Sequence, residues 1–200
     1  MGELVTQQVE AIAIGASAGG VEALSAVLPA LRRECGVPTF VVIHLPRERP
    51  SLLAQLFASK CSLTVNEAVD KQPIEPGVIY FAPPDYHLLV DGDHVALSID
   101  DLGHYSRPSI DVLFQSAADR YCAGLLALVL SGANQDGAAG LKYVAAAGGQ
   151  TLVQRPDSAV ASQMPEAALA AAPRSLVLDL KELAATLSTL NVEGRTKVRS

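Results

Sequence analysis

Charge is scarce in this chain, and basic charge scarcest: 15 Lys and Arg stand against 21 Asp and Glu in 200 residues, a formal net charge of -6. With no basic patch interleaved with aromatics, this balance excludes nucleic acid as a partner and disfavours phosphate-rich ligands. Cysteine is equally sparse. Cys35, Cys61 and Cys122 form an odd, widely spaced set without a C-x-x-C pair, which argues against a disulfide framework and for reduced thiols in the cytosol. His87, His94 and His104 have no metal-ligand spacing with carboxylates or thiols, so no metal is expected and these three read as structural or loop residues. No apolar run approaches membrane-spanning length, and the polar stretch from Met1 to Glu10 does not have the form of a signal peptide. A cytoplasmic chain without direct membrane insertion is expected. There is no internal repeat and no long linker, so residues 1–190 are expected to form one domain and the basic residues 191–200 a disordered tail.

Apolar residues make up 50% of the chain, enough for one compact α/β domain with a sizeable core. Ala11-Ile12-Ala13-Ile14 reads as a buried parallel strand, followed by a small-residue turn and a helix marked by Val21, Leu24, Val27, Leu28 and Leu31. The second strand runs from Pro38 to Ile43 and delivers His44; a helix beginning at Pro50-Ser51 carries Leu52, Leu53, Leu56 and Phe57. A right-handed crossover should set these two strands side by side. Beyond Leu63 the segments shorten: Val78 to Phe81 is a buried strand, and two short strands flank Asp91-Gly92-Asp93 as a hairpin. Asp100 to Pro108 reads as a polar loop, and a helix opens at Ser109-Ile110-Asp111. Gly124 to Leu130 is the most apolar strand and is expected at the sheet's centre. After it come Ser131-Gly132-Ala133-Asn134-Gln135-Asp136-Gly137, a helix to Ala147, a strand at Gln150 to Val153, a short helix after Pro165, a short strand at Leu176 to Leu178 and a last helix over Leu180 to Leu190.

Gly15-Ala16-Ser17-Ala18-Gly19 fits G-x-S-x-G between a strand and a helix, the context in which a serine hydroxyl is presented at a strand's carboxyl end. Taken alone, the stretch is equally a phosphate loop or a plain packing turn. Two further residues bear on the choice. Ser17, His44 and Asp136 each lie just beyond an apolar strand, so a parallel sheet brings all three to one edge, where open α/β sheets place their sites. Such a serine needs an imidazole to accept its proton, and the imidazole needs a carboxylate to fix its tautomer. A dinucleotide site would want an acid at the end of the second strand, where His44 stands. The bland readings are a solvated His44 and an Asp136 that only caps the following helix. The chain order Ser, His, Asp also differs from the Ser, Asp, His of α/β-hydrolases.

Ile14 to Leu24, Val42 to Pro46, Ala82 to His87, Arg107 to Phe114 and Leu130 to Ala138 together resemble the catalytic domain of the chemotaxis protein-glutamate methylesterases, a likeness running from about Ala11 to Leu190. The resemblance implies a doubly wound, mostly parallel sheet with helices on both faces and an antiparallel hairpin. It implies hydrolysis of glutamate γ-methyl esters, and deamidation of glutamines in many members, on the cytoplasmic signalling helices of methyl-accepting chemoreceptors, with no cofactor. Ser17 would be the nucleophile, His44 the base, Asp136 its orienter, and the amides of Ala18 and Ala133 oxyanion donors. A binding module that keeps the fold without catalysis is the alternative. The chain departs from the family pattern in having Gly132-Ala133-Asn134 where Gly-Met-Gly is usual, and Ala18 where Thr is common. Ala133 keeps the amide but not a side chain to wall the pocket, and Asn134 is expected to alter the turn. The residues before the first strand are too few for the receiver domain of the full-length regulators. Activity independent of phosphodonor is therefore expected, with a receiver domain supplied by a separate protein as a further partner.

Overall fold

A computed structural model of the chain describes residues 8–44, 52–100 and 106–190. The tail from 191, His104, the start of the helix at Pro50-Ser51, and most of the loop after Asp100 lie outside the described residues. Seven strands form one sheet in the order β3-β4-β2-β1-β7-β8-β9: β1 (Ala11–Ala16), β2 (Thr39–Ile43), β3 (Thr64–Glu67), β4 (Val78–Phe81), β7 (Leu125–Val129), β8 (Gln150–Gln154) and β9 (Leu176–Leu178). All six pairings are parallel, so the sheet is more uniform than the mostly parallel one expected. The antiparallel hairpin, β5 (His87–Asp91) and β6 (His94–Ser98), forms a separate sheet. The central strand is β1, not the more apolar β7, which lies beside it.

Alternation along the strands assigns side chains to two cores. On one face Ile12, Ile14, Val41, Ile43, Leu126 and Leu128 pack with α1 (Gly20–Val27), α2 (Leu53–Ala58) and α6 (Leu180–Ser188). On the other, Ala11, Ala13, Phe40, Val42, Ala127 and Val129 meet α3 (Ile110–Tyr121), α4 (Ala138–Ala146), α5 (Gln163–Ala171) and the hairpin. The small side of β1 therefore faces α3, and it is small for a reason. A Cβ on Gly15 would stand 2.3 Å from Ile110 Cγ2, far inside contact distance, so only glycine lets the start of α3 lie against the end of β1.

Further details depart from the sequence reading. Val21 is 37% exposed, and α1 buries Gly20, Ala23, Leu24 and Val27 instead. The helix also stops at Val27, because Pro29 has no N–H to extend it; a 3-10 turn over Leu28–Ala30 carries the buried Leu28 onward. β3 went unread because its exposed and half-buried residues, Thr-Val-Asn-Glu, lack an apolar run. It is an edge strand, defined by its pairing with β4. Among the described residues no helix is long and apolar enough to cross a membrane.

Candidate active site

The chain leaves β1 for β2 on one side, while β7 lies on the other. Such a switch point opens a crevice beyond the strands' carboxyl ends. Ser17 follows β1 directly, half-buried, and its N–H donates to the Ser131 carbonyl at 2.9 Å, tying it to the loop after β7. The left-handed residue of the turn is Gly19 (φ 76), the N-cap of α1. That conformation and the nearness of Ser131 Oγ and Val160 to any Cβ there make glycine the residue the turn requires. Ser17 itself is not among the residues with positive φ.

His44 follows β2. The register pairs Ala16 with Ile43, and the His44 N–H donates to the Ala16 carbonyl at 3.1 Å. Ser17 and His44 are thus the next residues beyond the paired ends of two adjacent strands. The imidazole lies 2.9 Å through Nε2 from Asp136 Oδ2. On its other side, Nδ1 lies 3.1 Å from the side-chain amide of Asn134. Among the described residues no hydrogen bond joins the Ser17 hydroxyl to His44.

Asp136 is buried and its carboxylate is saturated. Oδ1 accepts from Ser109 Oγ at 3.0 Å and from the Asp111 N–H at 3.0 Å. Oδ2 accepts from the Ile110 N–H at 2.8 Å as well as from His44. Ile110 and Asp111 open α3, whose first amides have no partner within the helix. Asp136 therefore terminates a helix, but not the one that the bland reading named. The N-cap of α4 is Gly137, which makes no side-chain cap, and the carboxylate reaches across to α3, where the helix dipole also favours a negative charge. Burial by itself would raise the Asp136 carboxyl; the hydrogen bonds from His44, Ile110 and Asp111 outweigh it and hold the group below its ordinary range. It is a carboxylate at neutral pH.

Ser109 caps α3, accepting from the Val112 N–H at 3.5 Å, and its own N–H donates to His87 Nδ1 at 3.1 Å. His87 is consequently an internal acceptor. Burial first, and then the charge of Arg107, keep its imidazole below the usual range and hence neutral. These supports were missed in the sequence: the helix start at Ser109 was legible, but nothing linked it to Asp136.

The loop after β7 is pinned from two sides. Buried Ser131 donates through Oγ to the Ala18 carbonyl at 2.7 Å and accepts from the Ala161 N–H at 2.9 Å. The Gly132 N–H donates to the Ala161 carbonyl, and its own carbonyl accepts from the Met164 N–H. Ala18 and Ala133 are exposed, and among the described residues neither N–H donates to another group of the chain. The two residues lie on the two loops that flank the switch point.

Residues 12–187 match the model of the family described as CheB methylesterase. A Leptospira interrogans protein named "Putative protein-glutamate methylesterase/protein-glutamine glutaminase" is 40% identical over 176 residues, which cover 88% of this chain and 91% of that one. A Trichodesmium erythraeum protein-glutamate methylesterase/protein-glutamine glutaminase is 34% identical over 91% of this chain, but the match spans only 53% of that longer relative. The crystal structure of the Thermotoga maritima CheB methylesterase catalytic domain superposes with a TM-score of 0.84 at 29% identity, covering 92% of this chain and 100% of the other.

Proposed function

This chain belongs to the CheB methylesterase family, and from that premise we propose that it is a serine carboxylesterase hydrolysing glutamate γ-methyl esters on chemoreceptor signalling helices in the cytoplasm. Residues 1–190 form the catalytic domain, with Ser17 as nucleophile, His44 as base and Asp136 as the group that orients it. The observation that carries the reading is the 2.9 Å hydrogen bond from His44 to a buried carboxylate, one strand away from Ser17 at the same sheet edge.

Because Asp136 takes Nε2–H, Nδ1 is the nitrogen left to accept a proton. The Ser17 oxygen bonds to the ester carbonyl carbon while its proton passes to Nδ1, and the carbonyl oxygen becomes an oxyanion facing the Ala18 and Ala133 amides. Collapse breaks the bond to the methoxy oxygen, which leaves as methanol with the proton from His44. Water then attacks the acyl-enzyme, gives one proton to Nδ1, and the Ser17 oxygen departs and recovers it, leaving a glutamic acid that ionises to the carboxylate by releasing its remaining proton to solvent. Throughout, the Asp136 carboxylate stabilises the imidazolium without taking its proton. A glutamine side chain runs through the same acyl-enzyme with ammonia leaving, in keeping with the glutaminase in the relatives' names. The sequence of steps needs no cofactor.

Ser17→Ala tests the assignment. The variant should melt like the wild type and lose hydrolysis of methylated receptor fragments, read as methanol release. Substantial turnover by Ser17→Ala would move the nucleophile elsewhere. Wild-type protein that neither hydrolyses the ester nor forms a fluorophosphonate adduct at Ser17 would instead be a binding module.

A further inference from the structure

We propose that Asn134 is a positioning residue of this site: its side-chain amide holds the basic nitrogen of His44 and competes with the Ser17 hydroxyl for it, so that it sets how readily the nucleophile is activated. The proposal rests on the reading of Ser17, His44 and Asp136 as a triad.

The orientation of the amide follows from its partners. A peptide N–H can only donate, so the Asn134 atom 3.1 Å from the Asp136 N–H is Oδ1. The atom 3.1 Å from His44 Nδ1 is then the NH₂ group, a donor. Nδ1 must therefore be the accepting, unprotonated nitrogen, and Nε2 carries the hydrogen that Asp136 receives. Asp136 and Asn134 grip the ring from opposite sides and select the same tautomer, the one in which Nδ1 can act as a base.

The grip on Nδ1 has a consequence for the reaction. An imidazole nitrogen has one in-plane lone pair, and Asn134 occupies it in the resting enzyme. Ser17 must share or displace that hydrogen bond before its proton can move. Once Nδ1 has taken the proton, its N–H points at the NH₂ of Asn134, donor against donor, and the amide has to turn away. Asn134 is half-buried, with exposed Ala133 and Gln135 on either side. Its one other side-chain bond among the described residues is to the Asp136 N–H.

The test compares the rate at which a fluorophosphonate modifies Ser17 in the wild type, Asn134→Ala, Asn134→Asp and Ser17→Ala, alongside ester hydrolysis and ¹⁵N NMR of the His44 ring. In the labelling step the Ser17 oxygen bonds to phosphorus, fluoride leaves and His44 takes the proton, so the rate reads the nucleophile without a receptor. Asn134→Ala should label about two- to tenfold faster, the change expected on releasing one hydrogen bond of ordinary net strength. Asn134→Asp keeps an acceptor for the Asp136 N–H but turns an oxygen towards Nδ1. It should put a second hydrogen on Nδ1 while Nε2 keeps its own against Asp136, visibly in the NMR spectrum, and label more slowly than the wild type.

If Asn134 only braced the turn, the order would reverse, with Asp near wild type and Ala slower. That order, equal rates in all three proteins, or a wild-type ring protonated on Nδ1 would each overturn the proposal. The wild-type spectrum decides even where a variant fails to fold. Ser17→Ala separates the two readings. If it remains unlabelled while the Asn134 pattern fails, only the role of Asn134 falls. Labelling of Ser17→Ala at the wild-type rate would remove the triad itself.

Discussion

Asp136→Asn removes one charge and exchanges one oxygen for NH₂, and the structure says why so small a change should matter. Four donors converge on the carboxylate: the Ser109 hydroxyl, the Asp111 N–H, the Ile110 N–H and His44 Nε2–H. In either orientation the new NH₂ faces one flexible partner and one fixed partner. Ser109 can rotate to accept, and His44 can shift its proton to Nδ1, but the Ile110 and Asp111 amides cannot become acceptors. One buried peptide N–H is therefore stranded whichever way the amide lies, at a cost of about 1–3 kcal/mol. Loss of the negative charge at the start of α3 adds roughly 0.3–1 kcal/mol. For a chain of this size that lowers the melting temperature by about 3–15 °C, at roughly 2–4 °C per kcal/mol. Where the NH₂ faces His44, it donates to Nε2 and places the ring hydrogen on Nδ1, the wrong tautomer for a base, and turnover falls by up to ~10⁴. Thermal melting and methanol release from methylated receptor fragments measure the two losses together. A variant with wild-type melting and wild-type turnover would refute the reasoning, because no arrangement of an amide satisfies these four donors.

Gly15→Ala should destabilise by about 1–3 kcal/mol through overpacking against Ile110, and should also slow hydrolysis by displacing the Ile110 N–H from Asp136; a destabilised protein with unchanged turnover would show that the site tolerates the shift. Acid should weaken the fold in two stages. His87 is neutral when folded because its range is lowered, so its contribution is complete above an unfolded value of about 6.5 and is lost as pH falls through the folded value. Asp136 follows the same sign at lower pH, its contribution present above roughly 3.9 and lost as pH falls through its depressed folded value. His87→Asn keeps an acceptor for the Ser109 N–H and should flatten the first stage as pH falls below about 6.5. An unchanged slope of melting temperature against pH in that variant would assign the first stage to other groups.

Local pattern carried most of the architecture. Ala11 to Ala16, Thr39 to Ile43 and Leu125 to Val129 are buried, mostly apolar strands because both faces of the sheet are covered; Ser17 and His44 follow the first two directly, and Asp136 lies in the loop after the third. Because the strands are parallel, Ser17, His44 and the loop that carries Asp136 lie at one edge. The hairpin was legible from Asp91-Gly92-Asp93 for the same reason, that its turn is a local matter. Polar edge strand β3 was not, because its identity as a strand depends on β4 beside it.

The partners of those residues were decided only in three dimensions. An aspartate before a glycine and a helix looks like a cap for that helix, yet Asp136 serves the N-terminus of α3, 25 residues earlier in the chain, and the imidazole of His44, 92 residues earlier. The same holds for Asn134, whose amide meets an imidazole 90 residues away. Sequence fixes which side chains can donate or accept and which strand end each occupies, since those follow from covalent structure and from the period of the apolar pattern. Which donor meets which acceptor follows from the sheet order, from α3 lying against β1 over a residue without a Cβ, and from the saturation of buried polar atoms that such close packing enforces.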